Sequence, residues 1–492
     1  MVRVRRSTVL DAPIDAVWRI LRDFNGHDRW HPAVDRSTLD GGRRTDQIGA
    51  VRNFALTSGE RVREVLLARS DREHRLCYAI VDSDLALQDY VAELSLKPVT
   101  DGDRTFWSWK SRFRAPPGKE GALARLVAEG VYEAGFEGLR NLLGRSPEPE
   151  PPRPAVTGTI AGEAMIIDRH GGPEELHPAS IEVPPPGPGQ VRIRQTAIGV
   201  NFIDVYCRIG HFDLLTPPGA PGMEAAGVVI DVGTDVRHLT VGQRVAYACP
   251  PVGAYATVRT LAAALVVPLP DGIDDKTAAA GLLKGMTAEF LLHRVHLLKR
   301  GEIALIHAPA GGVGRLLCQW AAHLGGRVIG ATTSEAKARV ARAAGAWDVI
   351  LPAELSLEEQ VMALTRGHGA DVIFDAVGRD TFGHSVAALA TCGHLVSFGQ
   401  ASGDIGLYDI GSLASKSATI SRPNFAHYTD TPEKVAAITG HLFDVLDRRI
   451  LDVEIGQRFA LRDAAAAHRA LEGRRTIGST ILIPEAAAGG GG

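Results

Sequence analysis

The sequence predicts a multidomain chain: an N-terminal α+β unit, then a β-rich domain interrupted by an α/β domain with a parallel sheet. Three observations predict it. A chain of 492 residues has room for two to four domains, each with a full core. A proline-dense stretch, Ser-Pro-Glu-Pro-Glu-Pro-Pro-Arg-Pro at 146–154, marks a break after the first 145 residues. Around 303–331 a short apolar run, a glycine-rich turn, an amphipathic helix and a second apolar run follow one another, in the order of a βαβ unit.

The first unit, 1–145, opens with an alternating strand at 2–10. Asp11 is placed to cap a helix whose Pro13 sits at the permissive first turn, with Val17, Ile20 and Leu21 on its buried side. Alternating segments at 49–56, 61–68, 74–81, 90–98 and 105–113 read as strands. A helix over about 119–143 closes the unit, with Leu123, Leu126, Val127, Val131, Phe136, Leu139 and Leu142 at helical spacing. Short helix, strands and long terminal helix describe a curved antiparallel sheet wrapped on that helix.

This order, with Asp11-Ala-Pro-Ile-Asp-Ala-Val-Trp and Trp30-His31-Pro32, resembles the START-like helix-grip superfamily, which includes polyketide cyclases and lipid carriers. The resemblance implies a cavity between sheet and helix for an apolar or polyketide ligand. Trp30, Trp107, Trp109, Tyr78 and Tyr90 are candidates to line it; the plainer reading is that they fill an ordinary core. His31 and Asp28 form a candidate acid/base pair, against the simpler reading of a surface-loop histidine beside a proline. Cyclase and carrier both stay open.

Prolines at the density of the 146–160 segment remove backbone donors and favour extended polyproline II, so a semi-rigid spacer is expected there. The Ala- and Gly-rich end, 486–492, reads as a disordered tail. An apolar content of 45% and a charged content of 23% are those of an ordinary globular protein. A net charge of −3 removes any general case for nucleic-acid or anionic-membrane attraction. The five cysteines, Cys77, Cys207, Cys249, Cys318 and Cys392, are scattered without a CxxC pair, which indicates neither a disulfide framework nor structural zinc. With no signal-type apolar segment at the start and no run of membrane-spanning length, a reducing cytoplasm is the economical expectation.

The glycine turn carries the chemistry. His307-Ala-Pro-Ala-Gly-Gly-Val-Gly leads from a strand into a helix, as a dinucleotide site requires. Gly311 is expected to permit a tight turn, Gly312 to let the backbone approach a pyrophosphate, and Gly314 to let the helix pack on the sheet. The helix N-terminus then offers unpaired N–H groups to phosphate. Beyond the second strand come Thr332, Thr333 and Ser334, with Lys337 three residues on. An NAD site usually places a carboxylate there; hydroxyls and a cation suit a 2′-phosphate, so NADPH is expected over NADH. Glu335 lies close by and weighs the other way.

The remaining blocks are Asn201-Phe-Ile-Asp-Val-Tyr-Cys-Arg-Ile-Gly, Pro221-Gly-Met-Glu-Ala-Ala-Gly, Leu283-Lys-Gly-Met-Thr, Asp375-Ala-Val-Gly-Arg-Asp, Ser397-Phe-Gly and Ser421-Arg-Pro. In this order they resemble the zeta-crystallin-like quinone oxidoreductases of the medium-chain dehydrogenase/reductase superfamily. The resemblance implies a GroES-like catalytic domain at 161–282 and 423–485, interrupted by a Rossmann domain at 283–422. It implies Asn201, Tyr206 and Thr287 at the nicotinamide or acceptor, with Arg208 either stabilising an oxyanion or paired with Asp204. It places Gly312 and Val313 at the pyrophosphate, Thr333 and Lys337 at the 2′-phosphate, and Val377, Phe398, Arg422 and Arg474 around the cleft. It also implies a homodimer joined along a Rossmann edge strand. Two departures stand out: Pro352 and Phe212 occupy positions where the family often has tyrosine.

Zinc-dependent relatives carry Cys where Asn201 stands and His where Met223 precedes Glu224, and neither replacement is a serviceable zinc ligand. Cys207 reads as a small packing residue. A metal-free site favours acceptors that delocalise negative charge. The expected function is therefore zinc-independent, NADPH-dependent reduction of a quinone, coupled to an apolar-ligand-binding domain. Two alternatives stand beside it: reduction of an activated C=C bond in an enone, alkenal or polyketide intermediate, and an NADPH-binding redox sensor without turnover.

Overall fold

The computed structural model describes residues 1–41, 45–71, 73–99, 103–144, 158–248 and 250–485. Most of the expected spacer, the expected tail and Cys249 lie outside the described residues. The chain divides into two compact units, Met1–Pro152 and Arg153–Gly492.

The first unit is a seven-stranded antiparallel sheet in the order Val2–Leu10, Arg104–Arg114, Gln88–Val99, Arg75–Ser83, Arg61–Ser70, Val51–Leu56, Val34–Leu39. The alternation that predicted the strands is the alternation of burial: in Gln88–Val99, Tyr90, Ala92, Leu94 and Leu96 face the core. The edge strand Val34–Leu39 was not expected; its polar Asp-Arg-Ser-Thr carries little apolar pattern. The first helix is Ile14–Leu21, and Asp11 does not cap it: Pro13 occupies the N-cap position, where no side-chain cap forms. The closing helix runs as Glu120–Arg125, a π-helical Leu126–Glu133 and Ala134–Gly144. Its buried face, Val127, Tyr132, Phe136 and Leu139, packs on the aromatic side of the sheet.

The second unit holds a seven-stranded sheet centred on Gln190–Val200, which pairs with Glu224–Val232, Val258–Ala262 and Ser479–Ile483. It also holds a six-stranded parallel sheet in the order Asp348–Ile350, Arg327–Ala331, Ile303–His307, Ala370–Asp375, Leu389–Ser397, Thr419–Ser421. In chain order that is 3-2-1-4-5-6, the doubly wound arrangement, and the order reverses between Ile303–His307 and Ala370–Asp375. Both strands at the reversal are covered on both faces, so apart from His307, Asp371 and Asp375 they are Ile, Ala, Leu, Val and Phe without alternation.

The expected boundary at 282/283 falls inside one helix, Asp275–Phe290. The boundary at 422/423 is also displaced. Helix Pro432–Asp447 contributes Val435, Ile438, Leu442 and Val445 to the core that contains Leu316, Trp320 and Val328 of the parallel-sheet domain. Amphipathic spacing shows that a helix buries a face but not which domain receives it.

Candidate active site

The C-terminal ends of the two strands at the reversal open into a cavity of about 1030 Å³. At its near end Ile303–His307 enters the glycine turn. The left-handed residue of this turn is Ala308, at φ 51°, whereas Gly311 sits at φ −82°, so the turn itself does not require glycine at 311. The glycines that matter are the next two. A Cβ on Gly312 would stand 2.6 Å from Cδ of Lys284, and one on Gly314 would enter the carbonyl of Ala308. Gly314 thus lets the helix seat on its own turn, not on the sheet as expected. Helix Gly312–His323 has no side-chain cap, so its N-terminus, bordering the cavity, is left to bind an anion.

At the far end of the second strand Thr332, Thr333 and Lys337 line the cavity. Ser334 does not: its hydroxyl accepts the N–H of Lys337 and caps helix Glu335–Ala343. Nζ of Lys337 donates to the carbonyl of Arg474 at 2.8 Å, and burial, then the Arg474 charge, holds the amine below its ordinary value. Arg474 is paired with Asp380 at 3.3 Å. Glu335, the residue that weighed towards NADH, forms an ion pair with Arg342 at 2.9 Å and lies outside the cavity lining. Pro352 borders the same end.

The middle of the cavity brings together Asn201, Tyr206, Thr287, Val377, Phe398 and Arg422. Helix Phe202–Arg208 starts at Asn201, whose backbone N–H donates to Oδ2 of Asp204 at 2.8 Å. The Asn201 side-chain amide donates to Oε2 of Glu224 at 2.9 Å. Tyr206 accepts the N–H of Gln400 at 3.3 Å, and burial pushes its phenol up. Arg422 donates to Oε1 of Gln400 at 2.7 Å, and Thr287 donates to the Leu283 carbonyl at 2.7 Å. Phe212 meets Tyr206 edge to face at 5.4 Å. The loop carrying Val377 is held by Asp375, which accepts the N–H groups of Val377 and Gly378 at 2.8 and 3.1 Å. Cys207 is buried, and desolvation pushes its thiol up to about 12.

Arg208 is a correction. It does not line the cavity, nor does it pair with Asp204. Two residues past Tyr206 on a helix, it faces away from it, fully buried, and binds Glu472 at 2.8 Å and the Gly171 carbonyl at 3.0 Å. Two residues not picked out from the sequence do belong to the site. Glu224 is fully buried and accepts from Leu283 N–H at 2.6 Å and from Nζ of Lys284 at 3.1 Å. Lys284 lines the cavity. The available signal was a lone charge inside Ala278–Met286, a segment otherwise fit only for a core. Among the described residues no group of three or more His, Cys, Asp or Glu side chains converges as metal ligands would.

In the first unit Trp30, Trp107, Trp109 and Tyr78 pack on one another, while Tyr90 stacks on Phe113 and bonds to Tyr132. Trp107 and Trp109 stack at 5.4 Å, and Trp109 donates to Tyr78 at 3.0 Å. His31 is not a surface-loop residue: it is buried, with Nε2 2.8 Å from the Val131 carbonyl and Nδ1 accepting the Ala33 N–H. Asp28 accepts the Ser37 N–H and is not bonded to His31. The indole N–H groups of Trp30 and Trp107 and both ring nitrogens of His27 are buried without a hydrogen-bond partner among the described residues.

Comparisons with known proteins divide along the same line as the structure. The family described as polyketide cyclase/dehydrase and lipid transport matches residues 1–144. Those described as alcohol dehydrogenase GroES-like domain and zinc-binding dehydrogenase match 187–271 and 312–440. A quinone oxidoreductase of Pseudomonas aeruginosa is 46% identical over 316 residues, covering 64% of this chain and 97% of the relative. A 2-haloacrylate reductase of Burkholderia sp. is 41% identical, covering 66% and 99%. The solved structure of Escherichia coli quinone oxidoreductase complexed with NADPH aligns with a TM-score of 0.64 at 38% identity, covering 65% of this chain and all of that one.

Proposed function

The chain belongs, through its second unit, to the quinone oxidoreductase family of medium-chain dehydrogenases/reductases, and from that premise we propose that it reduces a quinone with NADPH. One observation carries the cofactor: an uncapped helix N-terminus lies at one point of the cavity, and Thr333 and Lys337 lie at another, with Glu335 turned to Arg342. The donor set fits a dinucleotide bearing a 2′-phosphate. Gly312, Val313 and Gly314 would hold the pyrophosphate, Thr333 and Lys337 the 2′-phosphate, and Val377, Phe398, Arg422 and Arg474 the remaining length. When bound, the dinucleotide supplies a hydride. The chain's part is to orient the acceptor with Asn201, Tyr206 and Thr287 and to exclude water from an apolar cavity.

A second reading is reduction of an activated C=C bond, favoured by the 41% identity to a 2-haloacrylate reductase. Both acceptor classes take hydride into a conjugated system. Rates of NADPH and NADH oxidation with 1,4-benzoquinone, 9,10-phenanthrenequinone and 2-alkenals separate the readings. Faster turnover of the quinones, with NADPH, is expected; a preference for alkenals reverses the assignment, and tight NADPH binding without turnover of any acceptor leaves a sensor.

The first unit is proposed to bind an apolar or polyketide ligand. Its family match supports this, as do the unpartnered N–H groups of Trp30 and Trp107, which suit a ligand carrying oxygen as well as apolar surface. A homodimer is proposed along the edge strand Thr419–Ser421; the exposed Leu407 and Ile410 on the segment before it support an apolar joint. A cytoplasmic setting is proposed from the four free cysteines among the described residues, none of whose helices is long and apolar enough to cross a membrane.

A further inference from the structure

We propose that Lys284 is the acid that delivers a proton to the acceptor's oxygen, an inference that rests on the hydride-transfer reading above. Lysine is rarely buried unless its charge is used. Here its side chain is 7% exposed, paired with a Glu224 that is wholly buried. Pairing with Glu224 explains how the charge can be buried but not why it borders the cavity, where that carboxylate also accepts from Leu283 N–H and from the Asn201 amide. The ammonium has three protons, and among the described residues Glu224 is its one bonded acceptor. The Lys284 stem crosses Gly312, since a Cβ there would stand 2.6 and 2.9 Å from its Cδ and Cε. The ammonium therefore lies between the glycine turn and Asn201, bordering the cavity beside Thr287.

A conjugated carbonyl that receives hydride at carbon collects the electron pair on oxygen. In a cavity walled by Phe202, Met223, Phe290 and Phe398 that oxyanion has little water to stabilise it, and a fixed cation is worth far more there than in solution. The step balances. The reduced pyridine dinucleotide supplies the hydride, an Nζ–H bond of Lys284 breaks as the acceptor's O–H bond forms, and the nitrogen keeps the electron pair. A proton from solvent then restores the ammonium. For a quinone, one hydride on carbon and one proton on oxygen give a tautomer that enolises to the hydroquinone; for an enone they give the enol, which tautomerises to the ketone. Glu224, bonded to both Asn201 and Lys284, fixes the acid and the orienting amide with one carboxylate. Glu224 and Asp204 are the buried carboxylates whose charges act on this ammonium.

The test compares the full-length Glu224→Gln variant, which keeps the ammonium, with Glu224→Gln/Lys284→Met, which removes both charges together and leaves no unpaired buried ion. In the presence of NADP⁺, 4-nitrophenol reports the site without turnover through its visible phenolate band. The single variant is expected to ionise the bound phenol at lower pH than the double variant, by about one pKa unit. The double variant should lose on the order of 10²-fold in kcat relative to the single one, while NADPH affinity, read by nicotinamide fluorescence, stays the same. Lys284→Arg should retain the phenolate shift but not the rate, because guanidinium does not give up its proton. Equal phenol ionisation in single and double variants, or a loss of rate explained wholly by weaker NADPH binding, overturns the proposal. Absence of NADPH binding by the unmodified protein is a different result and removes the hydride-transfer reading with it.

Discussion

Arg208 and Glu472 are joined by two hydrogen bonds of 2.8 and 3.1 Å, and the pair begins a chain of donors that ends at the active-site helix. Nη1 of Arg208 also meets Nδ1 of His468 at 2.9 Å. A guanidinium only donates, so Nδ1 accepts and the ring proton sits on Nε2, 2.9 Å from the Tyr255 hydroxyl. Tyr255 in turn donates to Oδ2 of Asp204 at 3.1 Å, the same oxygen that holds the N–H of Asn201. Burial keeps His468 neutral, pushing it down to about 3, which agrees with this assignment. Arg208 thus braces Asn201 from behind, outside the cavity lining.

Glu472→Ala should therefore cost stability and spare turnover. The substitution strands a fully buried guanidinium, which costs about 3 kcal/mol, the low end for a broken buried pair because Glu472 is itself 34% exposed. Chemical denaturation of the full chain should show a lowered midpoint, with kcat per folded molecule near that of the parent. A large fall in kcat at unchanged midpoint would return Arg208 to the catalytic machinery.

Lys337→Ala should discriminate between dinucleotides. The amine borders the end of the second strand, where Glu335 is turned to Arg342 and Asp380 is paired with Arg474. Fluorescence titration should show NADPH binding weakened about tenfold, equivalent to about 1.4 kcal/mol, with NADH affinity little changed. Equal weakening of both would mean that Lys337 acts through the Arg474 carbonyl it already holds.

The three glycines of the turn should not respond alike. Gly311→Ala places a Cβ 3.4 Å from the Ala308 carbonyl oxygen, an ordinary contact, at a φ that alanine adopts freely, so it should be tolerated. Gly314→Ala drives a Cβ into the Ala308 carbonyl and must move the helix. Thermal melts and NADPH titrations should find Gly311→Ala close to the parent and Gly314→Ala impaired in both.

That contrast shows what the sequence can and cannot reveal. The order of strand, turn and helix was legible because apolar runs and glycines record local geometry. Thr333 and Lys337 were legible because their distance from the turn is fixed by one helix and one strand. The fate of Arg208 was not, since its partners Glu472 and His468 are distant along the chain and meet it only through folding. Lys284 and Glu224 were hidden for the same reason: each is a lone charge in an apolar run, and only pairing across 60 residues reveals them as one feature. His31 looked like a loop residue because nothing in its neighbourhood announces the helix that covers it.

His31 makes the first unit's stability depend on pH. Its Nε2 donates to the Val131 carbonyl in the π-helical stretch, and its Nδ1 accepts the Ala33 N–H, so only the neutral ring satisfies both contacts. Burial is the main cause that lowers it from 6.5 in the unfolded chain to about 4 in the folded one. Between those values the unfolded chain binds the extra proton. The contribution of neutral His31 is therefore complete above about 6.5 and is lost progressively as the pH falls towards 4. Hydrogen exchange across Leu126–Glu133 and Ala134–Gly144, corrected for intrinsic rates, should accelerate from pH 7 to pH 5 in the full-length protein. His31→Gln retains one donor and one acceptor but does not titrate, so its acceleration should be smaller. Some should remain, because buried His27, 4.8 Å away, is held neutral by burial as well. An identical pH response in parent and variant would show that the grip on the long helix does not depend on the protonation of His31.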